Sequence, residues 1–193
     1  NNLYKIFKIK NCRIYTNTND VAYIKNNLII SGPSIQMRNG INQNVQQNVV
    51  IKKGTPKFYK KINARVFSLL CNPDANNNYF HWFFDCLPRL LLFKKNFKFK
   101  KNDFFLVPSL KHDYQKKSLS ILNIKNLLDA YTLKHIKVNE LISVCFESTS
   151  NPPYWLVSDL KKNFKLKKTY LLKKISKKKY LKLFINREGI NST

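Results

Sequence analysis

The segment 78–95, NYFHWFFDCLPRLLLFKK, constrains this chain more than any other stretch. At 100° per residue, Tyr79, Phe80, Trp82, Phe83, Phe84, Leu87, Leu90 and Leu91 cover nearly the whole circumference of a helix. A helix that is apolar nearly all round is buried. It is too short and too interrupted, by His81, Asp85 and Arg89, to cross a membrane. With Asn78 set at zero, Asp85 falls at about −20°, Arg89 at about +20° and His81 at about −60°, so four polar groups share one stripe. Such a stripe on a buried helix is either satisfied by partners or lines a cleft. His81 and Asp85 stand at i and i+4, close enough to hydrogen-bond, and the carboxylate would hold the imidazole in one tautomer. A satisfied buried pair explains that spacing as well as a site does. Asn78 and Arg89 on the same stripe weigh toward a cleft. Pro88 removes the backbone bond to Phe84, so the helix should kink or restart there, with Arg89 near the new start.

Around this helix the chain has two grammars. Residues 1–60 read as strands and turns. Asn26-Asn27 and Asn39-Gly40 each separate two apolar runs and are hairpin signals, because Asn and Gly accept positive φ. From about residue 61, short apolar runs at 65–70, 104–108, 141–146 and 180–186 read as strands. They alternate with helical patterns at 78–95, 112–123 and 154–164. This alternation predicts an α/β fold with a parallel sheet. Residues 165–179 are lysine-heavy and read as a solvated face or linker. The expected organisation is a β-rich region over 1–60, an α/β domain over 61–179 and the start of another over 180–193.

Composition sets the outer limits. The 193 residues are 44% hydrophobic and 13% aromatic, enough to build a core and to exclude wholesale disorder. The net charge of +26 comes from 31 Lys and only 5 Arg, beside 25 Asn. AT-rich codons write the same residues, which discounts part of the basicity. Specific phosphate reading favours Arg forks, which are scarce here. Cys12, Cys71, Cys86 and Cys145 show no C-x-x-C spacing and the His are scattered, so no zinc site is expected and a reduced, cytosolic setting is the default. Cys86 reads as a small buried residue. Four isolated Gly write no phosphate-binding loop. The lysine runs at 94–101 and 161–179 read as solvated faces, with a secondary attraction to an anionic membrane. The chain begins at Asn1 and stops at Thr193 just past an apolar run, so it reads as a piece open at both ends.

The spacing Asn78-x-x-His81-x-x-x-Asp85 within NYFHWFFDCLPRLLLF resembles the hallmark of glycosyltransferase family 61. Bacterial members of that family, often labelled capsular polysaccharide biosynthesis proteins, carry similar segments. Residues 66–70 before the helix, and the run 182–187 ending in Arg187, resemble the family's flanking strands. The resemblance covers about residues 60–193. It implies a GT-B fold, two Rossmann-like halves facing across a cleft, of which this chain would hold the first, acceptor-side half, with the donor half largely missing. It implies inverting, metal-independent transfer, without a cofactor, from a nucleotide-sugar donor to a glycan or lipid-linked glycan acceptor. The setting implied is surface or capsular polysaccharide biosynthesis, which the cytoplasmic default and a peripheral attraction of the lysine runs to the inner membrane would suit. Either His81 or Asp85 would be the base; the favoured arrangement has His81 lining the cleft and Asp85 orienting it. Asn78 would position substrate, Arg187 would contact phosphate, and Arg89 would face the cleft or serve packing. Two other readings stand beside this one. A basic nucleic-acid-binding module fits the charge but lacks clustered Arg or a recognition signature, so no specific nucleic acid is expected. A non-catalytic remnant of the transferase fold would keep this half as an interaction surface.

Overall fold

Strand β1 (Lys5–Thr16) turns back into β2 (Asp20–Lys25), and the two pair antiparallel from Arg13↔Ile24 to Thr16↔Val21. Asn26 and Asn27 then adopt φ of 50° and 60°, the pair of positive values that a type I′ turn needs and Asn tolerates. They join β2 to β3 (Leu28–Ile29) in the hairpin expected there. A second hairpin pairs β4 (Ile35–Arg38) with β5 (Ile41–Asn42); its Asn39-Gly40 turn lies outside the described residues. The computed structural model describes residues 4–17, 20–38, 41–42, 45–71, 77–145 and 154–164. The expected lysine-rich stretch at 165–179 and strand at 180–186 fall outside these.

Helix α1 (Val49–Lys53) has no apolar stripe to announce it. It forms where Asn48 accepts from Val50 N–H at 3.1 Å and the Asp20 carboxylate accepts from Val49 N–H at 2.8 Å. The second grammar follows as read: β6 (Lys60–Ser68), a long helix described below, β7 (Phe104–Val107), α4 (Asp113–Ile121), β8 (Leu127–Asp129), β9 (His135–Cys145) and α5 (Tyr154–Asn163). The protein is therefore mixed α/β. Strands β6, β7, β8 and β9 are mutually parallel where they pair, in the order β9-β6-β7-β8. Among the described residues nine strands form one sheet. The hairpins belong to it, because β1 runs antiparallel along β9 from Lys5↔Cys145 to Tyr15↔His135.

The sheet has two differently covered faces. On one, Trp82, Leu90, Phe93, Leu119, Leu156 and neighbours from the helices pack on Phe67, Phe105, Ile142 and Val144. On the other, Ile9, Cys12, Ile14 and Tyr23 pack with Val66, Leu106, Leu128, Ile136 and Leu141 from the parallel strands. That face closes by curling rather than by helices. Tyr23 of β2 reaches Ser68 of β6 at 2.6 Å although β1 and β9 lie between them, a separation of about 14 Å in a flat sheet. Burial pushes the Tyr23 phenol up, opposed by its bonds to Ser143 and Ser68. Asn11 (φ 53°) breaks the alternation of β1, so that Ile9 and Cys12 face the same cluster.

One ion pair fastens β6 to the turn before β7. The Arg65 guanidinium makes bonds of 3.0 and 2.5 Å to the two oxygens of Asp103, which is 2% exposed. Arg65→Met should cost about 3–5 kcal/mol in urea unfolding, because it strands a buried carboxylate, and adding Asp103→Leu should recover most of the loss. A second prediction concerns His135, which is 8% exposed and bonds through Nδ1 to Phe58 O at 3.0 Å. Burial lowers its pKa. The unfolded chain then binds the extra proton first, so stability should fall as pH drops below about 6.5, the ordinary histidine value. Urea midpoints at about pH 8 and about pH 5, on either side of that value, should show this slope, and His135→Gln should flatten it.

Candidate active site

Asn78 is the cap of the long helix rather than a member of it. Its backbone is extended and its Oδ1 accepts from Phe80 N–H at 2.9 Å. From there α2 (Tyr79–His81), a π turn (Trp82–Cys86) and α3 (Leu87–Asn96) run on without interruption. The restart expected at Pro88 is thus a π turn with Pro88 in the first turn of α3. Proline has no N–H to offer Phe84, and the wider ring, Leu87 N–H to Trp82 O, carries the chain past that carbonyl.

The polar stripe becomes a gradient from surface to interior. Asn78 is exposed. The His81 side chain is 26% exposed and that of Asp85 11%, with Nδ1 and Oδ2 2.6 Å apart. Arg89 is buried, and its Nη1 donates to the Asp85 carbonyl at 2.6 Å. Asp85 is thereby gripped at both ends: its side chain holds His81 and its main chain is held by Arg89. Arg89 sits behind the pair, in the packing position of its two expected roles. Arg187 lies outside the described residues.

The helix that carries the pair is braced against α4. Trp82, fully buried, donates its indole N–H to Ser118 Oγ on α4 at 2.9 Å, and Ser118 passes the chain on to the Gln115 carbonyl at 2.9 Å. Cys86 is buried as expected, and burial beside the Cys71 thiol pushes its pKa well up. Cys12 is likewise pushed up, to about 12. Both thiols are buried, which fits packing roles. Tyr79 stacks on Phe83 and Phe80 leans on Phe84, so aromatic rings flank His81.

Sequence reasoning missed one neighbour. His112, before α4, has Nε2 3.3 Å from Asn77 Oδ1, at the start of the helix that carries His81. No motif marks it. Only the parallel topology does, since loops after adjacent strands β6 and β7 gather at the same, carboxyl end of the sheet.

A carboxylate–imidazole pair with the ring at the surface and the carboxylate mostly buried can fix a tautomer and take up or release a proton for a bound molecule. Among the described residues no three His, Cys, Asp or Glu side chains are grouped to hold a metal ion. Among them, too, no helix is long and apolar enough to cross a membrane.

The Trp82–Ser118 bond is the measurable brace. Ser118→Ala should cost about 1–3 kcal/mol by leaving the indole N–H buried without an acceptor, read as a lower unfolding midpoint with altered Trp fluorescence. No family model matches this chain, and neither does any curated protein or solved structure.

Proposed function

We propose that this chain is part of an inverting glycosyltransferase that uses a nucleotide sugar to extend a glycan acceptor of a surface polysaccharide. The observation that carries the reading is the His81–Asp85 bond of 2.6 Å on a buried, π-turned helix, in the sequence setting that resembles glycosyltransferase family 61. His81 takes the proton from the acceptor hydroxyl as its oxygen attacks the anomeric carbon. The bond from that carbon to phosphate breaks, and the nucleoside diphosphate leaves with the electron pair. Asp85 holds the imidazole in the tautomer that can accept the proton. Asn78, exposed at the cap of the helix, is assigned to substrate contact. Arg187 is assigned to the departing phosphates.

The strand order supports a Rossmann-like half of a GT-B pair. Order β8-β7-β6-β9 follows the 3-2-1-4 pattern of doubly wound sheets, whose ligands bind outside the carboxyl ends of the strands where the order reverses. Here that reversal falls between β6 and β9, and the helix bearing His81 follows β6. One departure is the short link from β8 to β9, which carries no helix: Ala130 and Leu133 instead pack in the core on the curled face.

The test is sugar transfer by the protein as the cell makes it, against a panel of nucleotide sugars. His81→Ala and Asp85→Asn should each lower kcat by about 10²–10⁴, assayed well below their own unfolding midpoints because each removes one partner of a mostly buried pair. Unchanged turnover in both variants would end the site assignment.

A further inference from the structure

At the opposite end of β6 from His81, a pocket of about 370 Å³ opens on the curled half of the sheet, lined by Asn11, Arg13, Asn26, Asn27, Tyr59 and Lys137 with Ile24. Strand register builds a row of charge that starts from the pocket-lining Arg13 and Lys137 and continues past the lining to Lys61. Arg13 on β1 pairs with Lys137 on β9, and Lys137 pairs with Lys61 on β6. Three cations thus stand on three neighbouring strands, about 4.8 Å from strand to strand. Like charges directly opposite each other destabilise a sheet, so the row calls for a counter-charge.

The protein supplies none among the described residues. Seven of the ten carboxylates are described, and each is engaged elsewhere. Asp20 holds Val49 N–H, Asp85 holds His81, Asp103 holds Arg65, and Asp129 caps its own turn. Asp113 faces Lys117, Asp159 faces Lys95, and Glu140 acts on Arg65. Arg13 is instead positioned by neutral oxygens, Asn27 Oδ1 at 2.8 Å and Thr55 Oγ1 at 3.4 Å. Those two bonds fix the guanidinium and leave its charge and most of its five N–H donors unspent. Lys137 Nζ lies 6.0 Å from the Tyr59 ring centroid, and the Asn side chains add amide donors to the rim.

We propose that this pocket binds a phosphate-bearing anion, and that the spacing of the cation row suits a diphosphate group better than a single phosphate. An Arg fork beside Lys137, with Lys61 next in the row, offers bidentate and point-charge contacts together, the combination that phosphate oxygens accept. The site is separate from the His81 helix, and the proposal does not depend on the transfer reading. Its phosphate has two possible sources, a soluble diphosphate or a phospholipid headgroup.

The test titrates the whole 193-residue chain with inorganic diphosphate and with monophosphate, by calorimetry at constant ionic strength. A parallel arm measures flotation with phosphatidylcholine vesicles carrying phosphatidic acid. Arg13→Gln and Lys137→Gln should each weaken binding by about tenfold or more, as loss of a charge-assisted bond requires. Lys117→Gln, an exposed lysine on α4, should leave it unchanged. Dependence on Arg13 and Lys137 in the diphosphate arm supports the site with a soluble ligand. The same dependence confined to the vesicle arm supports it with a lipid headgroup. Because the Lys137 side chain makes no hydrogen bond among the described residues and only leans on the Tyr59 ring, Lys137→Gln keeps the test valid if Arg13→Gln unfolds. Equal losses in all three variants, or no binding in either arm, would overturn the proposal.

Discussion

The helix from Tyr79 to Asn96 cannot be left in water, and most of the architecture answers that requirement. Trp82, Cys86, Leu87, Leu90 and Phe93 are essentially inaccessible, which forces the helix against the parallel strands. Its polar residues must then be satisfied in place. Asp85 meets this by bonding at both ends, to His81 outward and Arg89 inward. Pro88 adds a second constraint, since a regular helix would leave a carbonyl unserved. The helix widens to a π turn there, with Leu87 N–H bonded to Trp82 O, between the partly exposed His81 and the buried leucines that follow.

Much of this was legible in the residues. The buried inner face of the helix and the missing proline N–H followed from the residues; Tyr79 and Phe80, on the same apolar circumference, are exposed instead, and the i, i+4 pair read equally as a satisfied couple or a site. The hairpins at Asn26-Asn27 and Asn39-Gly40 also followed, because positive φ selects few residues. The strand β8 was not legible: three residues leave no period to detect. Nor was the first half of β9, where Lys137, Asn139 and Glu140 interrupt the apolar run that marks its second half. Asn78 was placed on the helix wheel because angular position cannot separate a cap from a first turn. The partners Ser118 and His112 escaped because they approach the helix from 30 or more positions away, through the packing of α4.

The two kinds of cation play unlike parts. The described arginines whose side chains are placed each have a defined hold: Arg65 on Asp103, Arg89 on a main-chain carbonyl, Arg13 on Asn27 and Thr55. Lysines mostly do not. Lys94 is an exception, since it donates to the Leu122 carbonyl at 2.8 Å and is partly desolvated, which lowers its pKa. The scarce residue is thus spent on geometry, and the abundant one mostly covers surface.

The pairing of β1 with β9 joins residues far apart in the chain: Tyr15 meets His135 and Lys5 meets Cys145, separations of 120 and 140 residues. Contacts that distant form late and slow folding. On a ribosome adding roughly 5–20 residues per second, β1 waits several seconds for its partner. Through that interval its edge is open, and an open edge invites pairing with other chains. Lys5, Lys8 and Lys10 lie along that edge. In the finished sheet Lys8 lies over the Phe97 ring and Lys10 stands opposite Glu140; before β9 exists the same charges work against edge-to-edge pairing.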